Sequence, residues 1–268
     1  MPTSIEGIMC LWNEEDNVAR AIESTKDFVD SYIVVDNSDD GTLDIVRECQ
    51  QRWGLSMQIF YKPNLPDLAE KRFWAFQQSK ADWLLVVDGD HVYHTDGPNA
   101  IQQIRPQLEK TQKDVVWFST SIWLWGPPGG FTTWRKPWRK DAPILIPHPF
   151  LYRNSSALKP ALSYPTADLP HIPAASRIDF PNPPVFFDVC CKNPKRSFLR
   201  ARLVNWRAAD NYKRWPTLES FVQYQLQTKD LRPWIERWWK EKLEELLPYN
   251  SATWGYYPKI LREAMGRE

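Results

Sequence analysis

The chain has 268 residues, 43% of them hydrophobic and 25% charged, enough for one large domain with a buried core. Fifteen Trp and 23 Pro against 10 Gly exclude a collagen, a coiled coil, a low-complexity chain and a small disulfide scaffold. The formal net charge of +1 conceals a division: residues 1–100 carry 8 Lys and Arg against 18 Asp and Glu, and residues 101–268 carry 26 against 15. The back part also holds 11 of the Trp and 19 of the Pro, so two different tasks on one chain are expected.

From the N-terminus, strands and helices alternate. Ile5 to Leu11 reads as a short apolar strand, followed by a helix capped by Asp16 or Asn17. Its apolar residues Val18, Ala21, Ile22, Thr25, Phe28 and Val29 recur at helical spacing. Tyr32 to Val35 is a buried-type strand ending on Asp36, and Asn37 to Gly41 is turn chemistry. A helix over Thr42 to Trp53, a strand over Met57 to Tyr61, a helix over Pro66 to Ser79 and a strand over Trp83 to Val87 follow. Continuous apolar strands alternating with helices predict a mostly parallel α/β sheet flanked by helices. Ligands bind such sheets at the carboxyl ends of the strands, where Asp36 and Asp88 stand.

A helix is predicted over about 96–110 and a strand over Asp114 to Leu124. Periodicity then fails: residues 127–184 hold 13 prolines, with short extended pieces at Ile144 to Ile146 and Phe150 to Arg153. Frequent aromatic residues argue for an ordered irregular region there. Val185 to Cys191 reads as a last strand, and helices are predicted over 195–209, 217–228 and 231–247. Residues 1–120 are thus a ligand-binding half, 121–192 an irregular second half of the same domain, and 193–268 a helical extension.

None of the four cysteines, Cys10, Cys49, Cys190 and Cys191, forms a CxxC pair, so neither a zinc site nor a disulfide framework is indicated. No signal peptide and no run of about 18–20 apolar residues is evident, which predicts a soluble, cytoplasmic protein.

The most informative cluster is Asp88-Gly89-Asp90 after an apolar strand. Two carboxylates one residue apart can face a Mg²⁺ or Mn²⁺ ion, which prefers oxygen ligands, while the glycine lets a phosphate approach. A plain turn uses the same residue types. Asp36 and Asn13-Glu14 end two further strands, so three acidic loops can converge on one crevice. A GxGxxG loop and a GxxxxGK[ST] loop are both absent, and Ser38 stands where a DxDGT phosphatase needs its nucleophilic Asp. Nucleotidyl transfer, which uses similar carboxylates, stays open as a second enzymatic reading.

Ile8 to Glu15, Ile33 to Thr42 and Leu84 to Asp90 resemble, in order and spacing, the family 2-type glycosyltransferases of the GT-A fold. The resemblance covers about residues 4–92 and thins after 120. It implies a nucleotide-diphosphate-sugar donor, usually uridine-linked, and Mn²⁺ or Mg²⁺. By position it gives Asp36 to the base, Asp88 to the ribose or a metal-bound water, and Asp90 to the metal. Asn13 and Glu14 fall in the loop that lines the nucleotide pocket, and Lys71 or Arg72 matches a basic position near the nucleotide, although Phe73 departs from the Asn common after it. The base that deprotonates the acceptor hydroxyl is implied downstream of an Arg-containing strand. Phe150 to Arg153 fits that strand, making Asp168 the first candidate and Asp179 the second, with a turn-capping role as the bland reading. A later metal-binding His is replaced by Asp188 as a possible third ligand, with His148 and His171 as competitors. An inverting transfer is expected, with a retaining route open.

The basic back part has three readings. Trp134 to Lys140 interleaves aromatics with cations, and Lys192, Lys195, Arg196, Arg200, Arg202, Arg207, Lys213 and Arg214 face only Asp210 in the stretch 192–214. These residues can form a solvated helix with some cations near the donor diphosphate. In second place they can track a nucleic-acid acceptor, such as DNA with hydroxymethylated bases, and in third an anionic lipid. Glycan, protein and lipid-phosphate acceptors remain alternatives, as does a non-catalytic nucleic-acid or glycan binder on a degenerate fold. The stretch Arg232 to Leu247 lines up Trp234, Trp238, Trp239, Leu243, Leu246 and Leu247 with four basic and four acidic residues, which predicts packing against the rest of the protein.

Overall fold

The computed structural model describes residues 3–63, 68–135, 146–154, 177–178, 180, 184–207, 211–251 and 256–267. Asp168, Asp179 and His171 lie outside the described residues, as does most of the Trp134 to Lys140 stretch.

The first half is the expected parallel sheet. Strands β1 (Ile5–Leu11), β2 (Ser31–Asp36), β3 (Met57–Tyr61) and β4 (Trp83–Val86) lie in the order β4-β1-β2-β3, all parallel. Helices α1 (Val18–Thr25), α2 (Thr42–Trp53) and α3 (Leu68–Gln78) make the crossovers. Every residue of β1 is buried, as a strand covered on both faces requires. Gly7 of β1 has a steric reason: a Cβ there would come within 2.6 Å of the ring of Tyr32, its partner on β2.

The sheet continues beyond β4 with reversed direction. Strands β6 (Val115–Gly126) and β8 (Ile146–Arg153) pair antiparallel with each other, and β8 pairs antiparallel with β4. Strand β7 (Thr133–Arg135) extends the sheet past β6. The predicted helix over 96–110 is shorter, a 3-10 turn at Ile101–Ile104 running into α4 (Arg105–Leu108).

Strand β10 (Val185–Cys191) positions the site. It runs parallel to β6, while the short β5 (His91–Tyr93) pairs antiparallel with it, Asp188 opposite His91. The Val189 N–H donates to the Asp90 carbonyl at 2.7 Å. The residue that follows the strand, Lys192, is thereby delivered to the Asp88-Gly89-Asp90 turn. Strand β9 (Arg177–Ile178) completes the pairings of β6.

After β10 the chain forms α5 (Pro194–Arg200), α6 (Leu203–Arg207), α7 (Asn211–Arg214), α8 (Leu218–Gln225) and α9 (Arg232–Glu244), and α10 (Lys259–Ala264) near the C-terminus. The predicted last helix ends early, because Leu246–Pro248 forms strand β11 against β7. Phe198, Trp206, Leu218, Phe221, Val222 and Leu231 form a separate aromatic-rich core. Trp12, immediately after β1, packs against that core, so the helical part sits on the carboxyl ends of the parallel strands. Among the described residues, no helix is long and apolar enough to cross a membrane.

Candidate functional site

The loops after β1, β2 and β4 meet at the carboxyl edge of the sheet, and a hydrogen-bond network fixes their shapes. Asn13 takes a left-handed backbone, φ 56°, which Asn tolerates better than most residues. Its N–H donates to Ser38 Oγ at 2.8 Å, and its Oδ1 accepts from the Asp39 N–H at 3.0 Å. The Ser38 hydroxyl donates in turn to the Asp36 carboxylate. Asp36 is fully buried; burial pushes its carboxyl up against the opposing effect of the Ser38 bonds and nearby Lys71. Lys71, also fully buried, donates to the Leu11 carbonyl at 2.8 Å and Asn37 Oδ1 at 2.6 Å, tying the ends of β1 and β2 together.

Arg72 turns the other way and donates to Asp88 Oδ1 at 2.6 Å. Burial opposes the charge on Asp88, yet Arg72 and His91 outweigh it and hold the carboxyl below its usual range. The two neighbours in sequence thus take separate tasks, Lys71 clamping backbone and Arg72 holding the first aspartate of the turn.

The second aspartate sits in a closed ring of charges. Lys192 Nζ bridges Glu14 Oε2 at 2.5 Å and Asp90 Oδ2 at 3.0 Å. Arg200 Nη1 bridges Glu14 Oε1 at 2.9 Å and the same Asp90 Oδ2 at 2.8 Å. Two anions and two cations alternate, and the formal charge is zero. Against the cost of burial, Arg200 and Lys192 drive the Asp90 carboxyl far below its usual range. Arg196, one turn before Arg200 on α5, bridges Glu15 at 2.5 Å, Asp16 at 2.7 Å and Asp40 at 2.9 Å. Gly89 belongs to this packing: a Cβ there would come within 2.6 Å of the Glu14 Cγ. The glycine expected to admit a phosphate makes room for Glu14.

Asn17 and Asp16, expected as helix caps, are spent on the same junction. The Asn17 amide donates to the Val189 carbonyl at 2.8 Å, and Asp16 accepts from the Asn193 N–H at 3.1 Å. Beside these loops lies a cavity of about 500 Å³, within the size range of small-molecule sites. Trp12, Asn13, Asn37 and Asp39 form one side, and Leu199 and Trp206 of the helical part form another.

The structure therefore brings Asn13, Glu14, Asp36, Arg72, Asp88 and Asp90 to one edge. Asn13 lines the cavity directly, whereas the Glu14 carboxylate is enclosed in the charge ring. Lys192 and Arg200 are the residues missed as partners of the acidic loops. The opposite charges of the two parts of the chain were the available signal.

The metal expected from the sequence meets a mixed donor set. Among the described residues, Asp90, Asp188 and Cys190 bring ligand atoms within 4.8 Å of one another. The Cys190 thiol donates to Asp188 Oδ1 at 3.1 Å, and burial pushes the thiol well above its usual range, so it stays protonated. Burial and nearby Asp90 also raise the Asp188 carboxyl. A hard divalent ion would gain one thiol and lose charge balance, since Lys192 and Arg200 already contact Asp90. This set does not fit Mg²⁺ or Mn²⁺. Asp88, the other expected ligand, is paired with Arg72.

The model of glycosyl transferase family 2 matches residues 8–160, more than half of the sequence. The chain belongs to this family. Its family 2 region includes all three acidic loops and the sheet through β8. Uncharacterized glycosyltransferases of Rickettsia typhi and Rickettsia prowazekii are each 36% identical over 93 residues, covering 34% of this chain and 30% of theirs. The match thus spans about a third of those relatives' length. Among solved structures, S. aureus TarS has a TM-score of 0.44 at 16% identity, covering 74% of this chain and 38% of that one. TarS 1–349 in complex with UDP-GlcNAc has a TM-score of 0.40 at 20% identity, covering 59% of this chain and 47% of that one.

Proposed function

We propose that this family 2 chain transfers a sugar from a nucleotide-diphosphate donor, UDP-linked, to a hydroxyl acceptor. The observation that carries the reading is the convergence of the β1, β2 and β4 loops, with their acidic residues, beside a cavity of about 500 Å³ at the carboxyl edge of the parallel strands. In this reading the cavity takes the nucleoside, with Asn13 in its wall and Asp36 behind it. Arg72 and Asp88 lie on the ribose side. The acceptor hydroxyl loses its proton to a carboxylate as it attacks the anomeric carbon with inversion, Asp168 before Asp179.

Charge building on the leaving diphosphate must be offset by cations. The family resemblance favours a divalent ion on Asp88, Asp90 and Asp188. The occupation of Asp90 by Lys192 and Arg200 favours the chain's own cations.

Transfer to hydroxymethylated DNA bases is the finer acceptor reading. It draws support from the basic stretches in the sequence, but Lys192 and Arg196 are committed to internal acids, and Lys195 pairs with Glu219 at 2.8 Å. Glycan, protein and lipid-phosphate hydroxyls therefore belong in the same acceptor panel.

The test is transfer of labelled sugar from UDP-sugars to that panel, with Asp36→Asn, Asp90→Asn and Asp168→Asn alongside. The reading expects transfer to one acceptor class and at least a roughly 100-fold loss in Asp168→Asn if it is the base. Donor binding without turnover on any acceptor, in a protein that binds DNA or glycan, would establish the non-catalytic alternative. Full transfer activity in Asp90→Asn would remove the assignment of the turn.

A further inference from the structure

We infer that Lys192 and Arg200 perform the task of the divalent ion: together they offset the charge of Asp90, and Arg200 holds the donor diphosphate, so donor binding is independent of metal. The inference rests on the sugar-transfer reading and adds which groups receive the diphosphate.

Three observations lead to it. First, the ring Glu14–Lys192–Asp90–Arg200 is closed and neutral, with each cation touching both carboxylates. A metal bound to Asp90 would stand within a few ångströms of two fixed positive charges, at a site where burial leaves little water to screen them. Second, the two cations differ in exposure. The Lys192 side chain is 2% exposed and is held entirely inside the ring, whereas that of Arg200 is 40% exposed. Both Arg200 pairs run through Nη1, and a guanidinium carries five N–H donors in a planar fork suited to phosphate oxygens. Third, Arg200 follows Leu199, which lines the cavity together with Trp12 and Asn13. The residue that closes the charge ring is thus the next in sequence after a residue of the cavity wall.

The arrangement gives each partner a function. Lys192 supplies one of the two positive charges that balance Asp90 and Glu14, and it does so from inside the ring. Asp90 and Glu14 fix the partly exposed Arg200 guanidinium through Nη1, so the group is held in place before substrate arrives. Asp90 is in this account a positioning residue, and Arg200 is the group that touches substrate.

The experiment is calorimetric titration of the full chain with UDP and UMP, in excess EDTA and in millimolar Mn²⁺, for the wild type, Arg200→Gln and Arg200→Lys. UDP is expected to bind with the same Kd, within about twofold, in EDTA and in Mn²⁺. Arg200→Gln should weaken UDP by about 10- to 100-fold, the range for a lost charge-assisted bond, and leave UMP, which lacks the second phosphate, within about threefold. Arg200→Lys should recover part of the UDP affinity, which a merely structural arginine would not do selectively for the diphosphate. UDP binding that disappears in EDTA, or that Arg200→Gln leaves intact, overturns the inference while the transferase reading stands. No binding of UDP or UDP-sugars in either buffer removes the transferase reading itself.

Discussion

The sheet half and the helical half of the molecule bury different things. Around β1 to β4 the interior is mainly aliphatic, with Ile5, Ile8, Leu11, Ile33, Val34, Val35, Leu84 and Leu85 essentially inaccessible to solvent. Around α5 to α9 it is built from Phe198, Trp206 and Phe221 with Trp215 and Trp238 packed beside them, and α9 itself has no fully buried residue. The sheet half satisfies its own backbone and core. The helical half is anchored to it by charge, through Lys192, Arg196 and Arg200 on Glu14, Glu15, Asp16, Asp40 and Asp90. The acidic front and basic back are two faces of one junction, and the candidate site lies there.

If so, damage should scale with how deeply a residue enters the junction. The largest effect is expected for Lys192→Met, which leaves Glu14 and Asp90 buried with one cation between them and should cost about 3–5 kcal/mol in urea unfolding. A change within about 0.5 kcal/mol would show that the ring contributes little to the fold. Gly89→Ala forces a Cβ against Glu14 and should cost about 1–3 kcal/mol, together with loss of UDP affinity. An unchanged variant on both readouts would separate the turn from the ring.

A smaller difference should appear in acid. The Asp88 carboxyl is depressed in the folded protein, because Arg72 and His91 outweigh its burial. Around pH 4 the unfolded chain therefore binds more protons at this residue than the folded one. Its stabilisation is complete above the ordinary carboxylate value of about 4 and is lost as pH falls through the lower folded value. Unfolding measured from about pH 5 down to about pH 3 should show a shallower loss in Asp88→Asn than in the wild type. Parallel curves would contradict the assignment. The smallest effect belongs outside the junction: the Lys195–Glu219 pair is 52% and 39% exposed, and Lys195→Ala should change stability by less than about 1 kcal/mol. A larger loss would mean that the helical half depends on its surface pairs as well.

The sequence made the sheet half legible because its signals are local. Thr42–Trp53, Met57–Tyr61 and Val185–Cys191 have the same limits in the structure as in the residue pattern, a helical period in the first and mostly apolar runs, broken only by Gln58 and Asp188, in the other two. The three-residue strand His91–Tyr93 escaped notice because it is too short to show a period and pairs with residues nearly a hundred positions later. Leu246 and Leu247 read as helix because they continue the helical stripe, while the partner of their strand, β7, is fixed only in three dimensions. In the site, Asp36, Asp88 and Asp90 were visible as acidic residues ending apolar strands. Their partners were not: a basic helix reads the same whether its cations face solvent, a polyanion or the protein's own carboxylates. The role of Gly89 was also hidden, since the side chain that fills its space, Glu14, belongs to another loop.

The most direct test of the junction is a double-mutant cycle in stability between Asp90→Asn and Arg200→Gln, residues 110 positions apart whose side chains meet at 2.8 Å. A charge-balanced ring predicts a coupling energy of about 1–3 kcal/mol between the two substitutions. Strict additivity, within about 0.3 kcal/mol, would show that the acidic front and the basic back do not act on each other and would contradict the account.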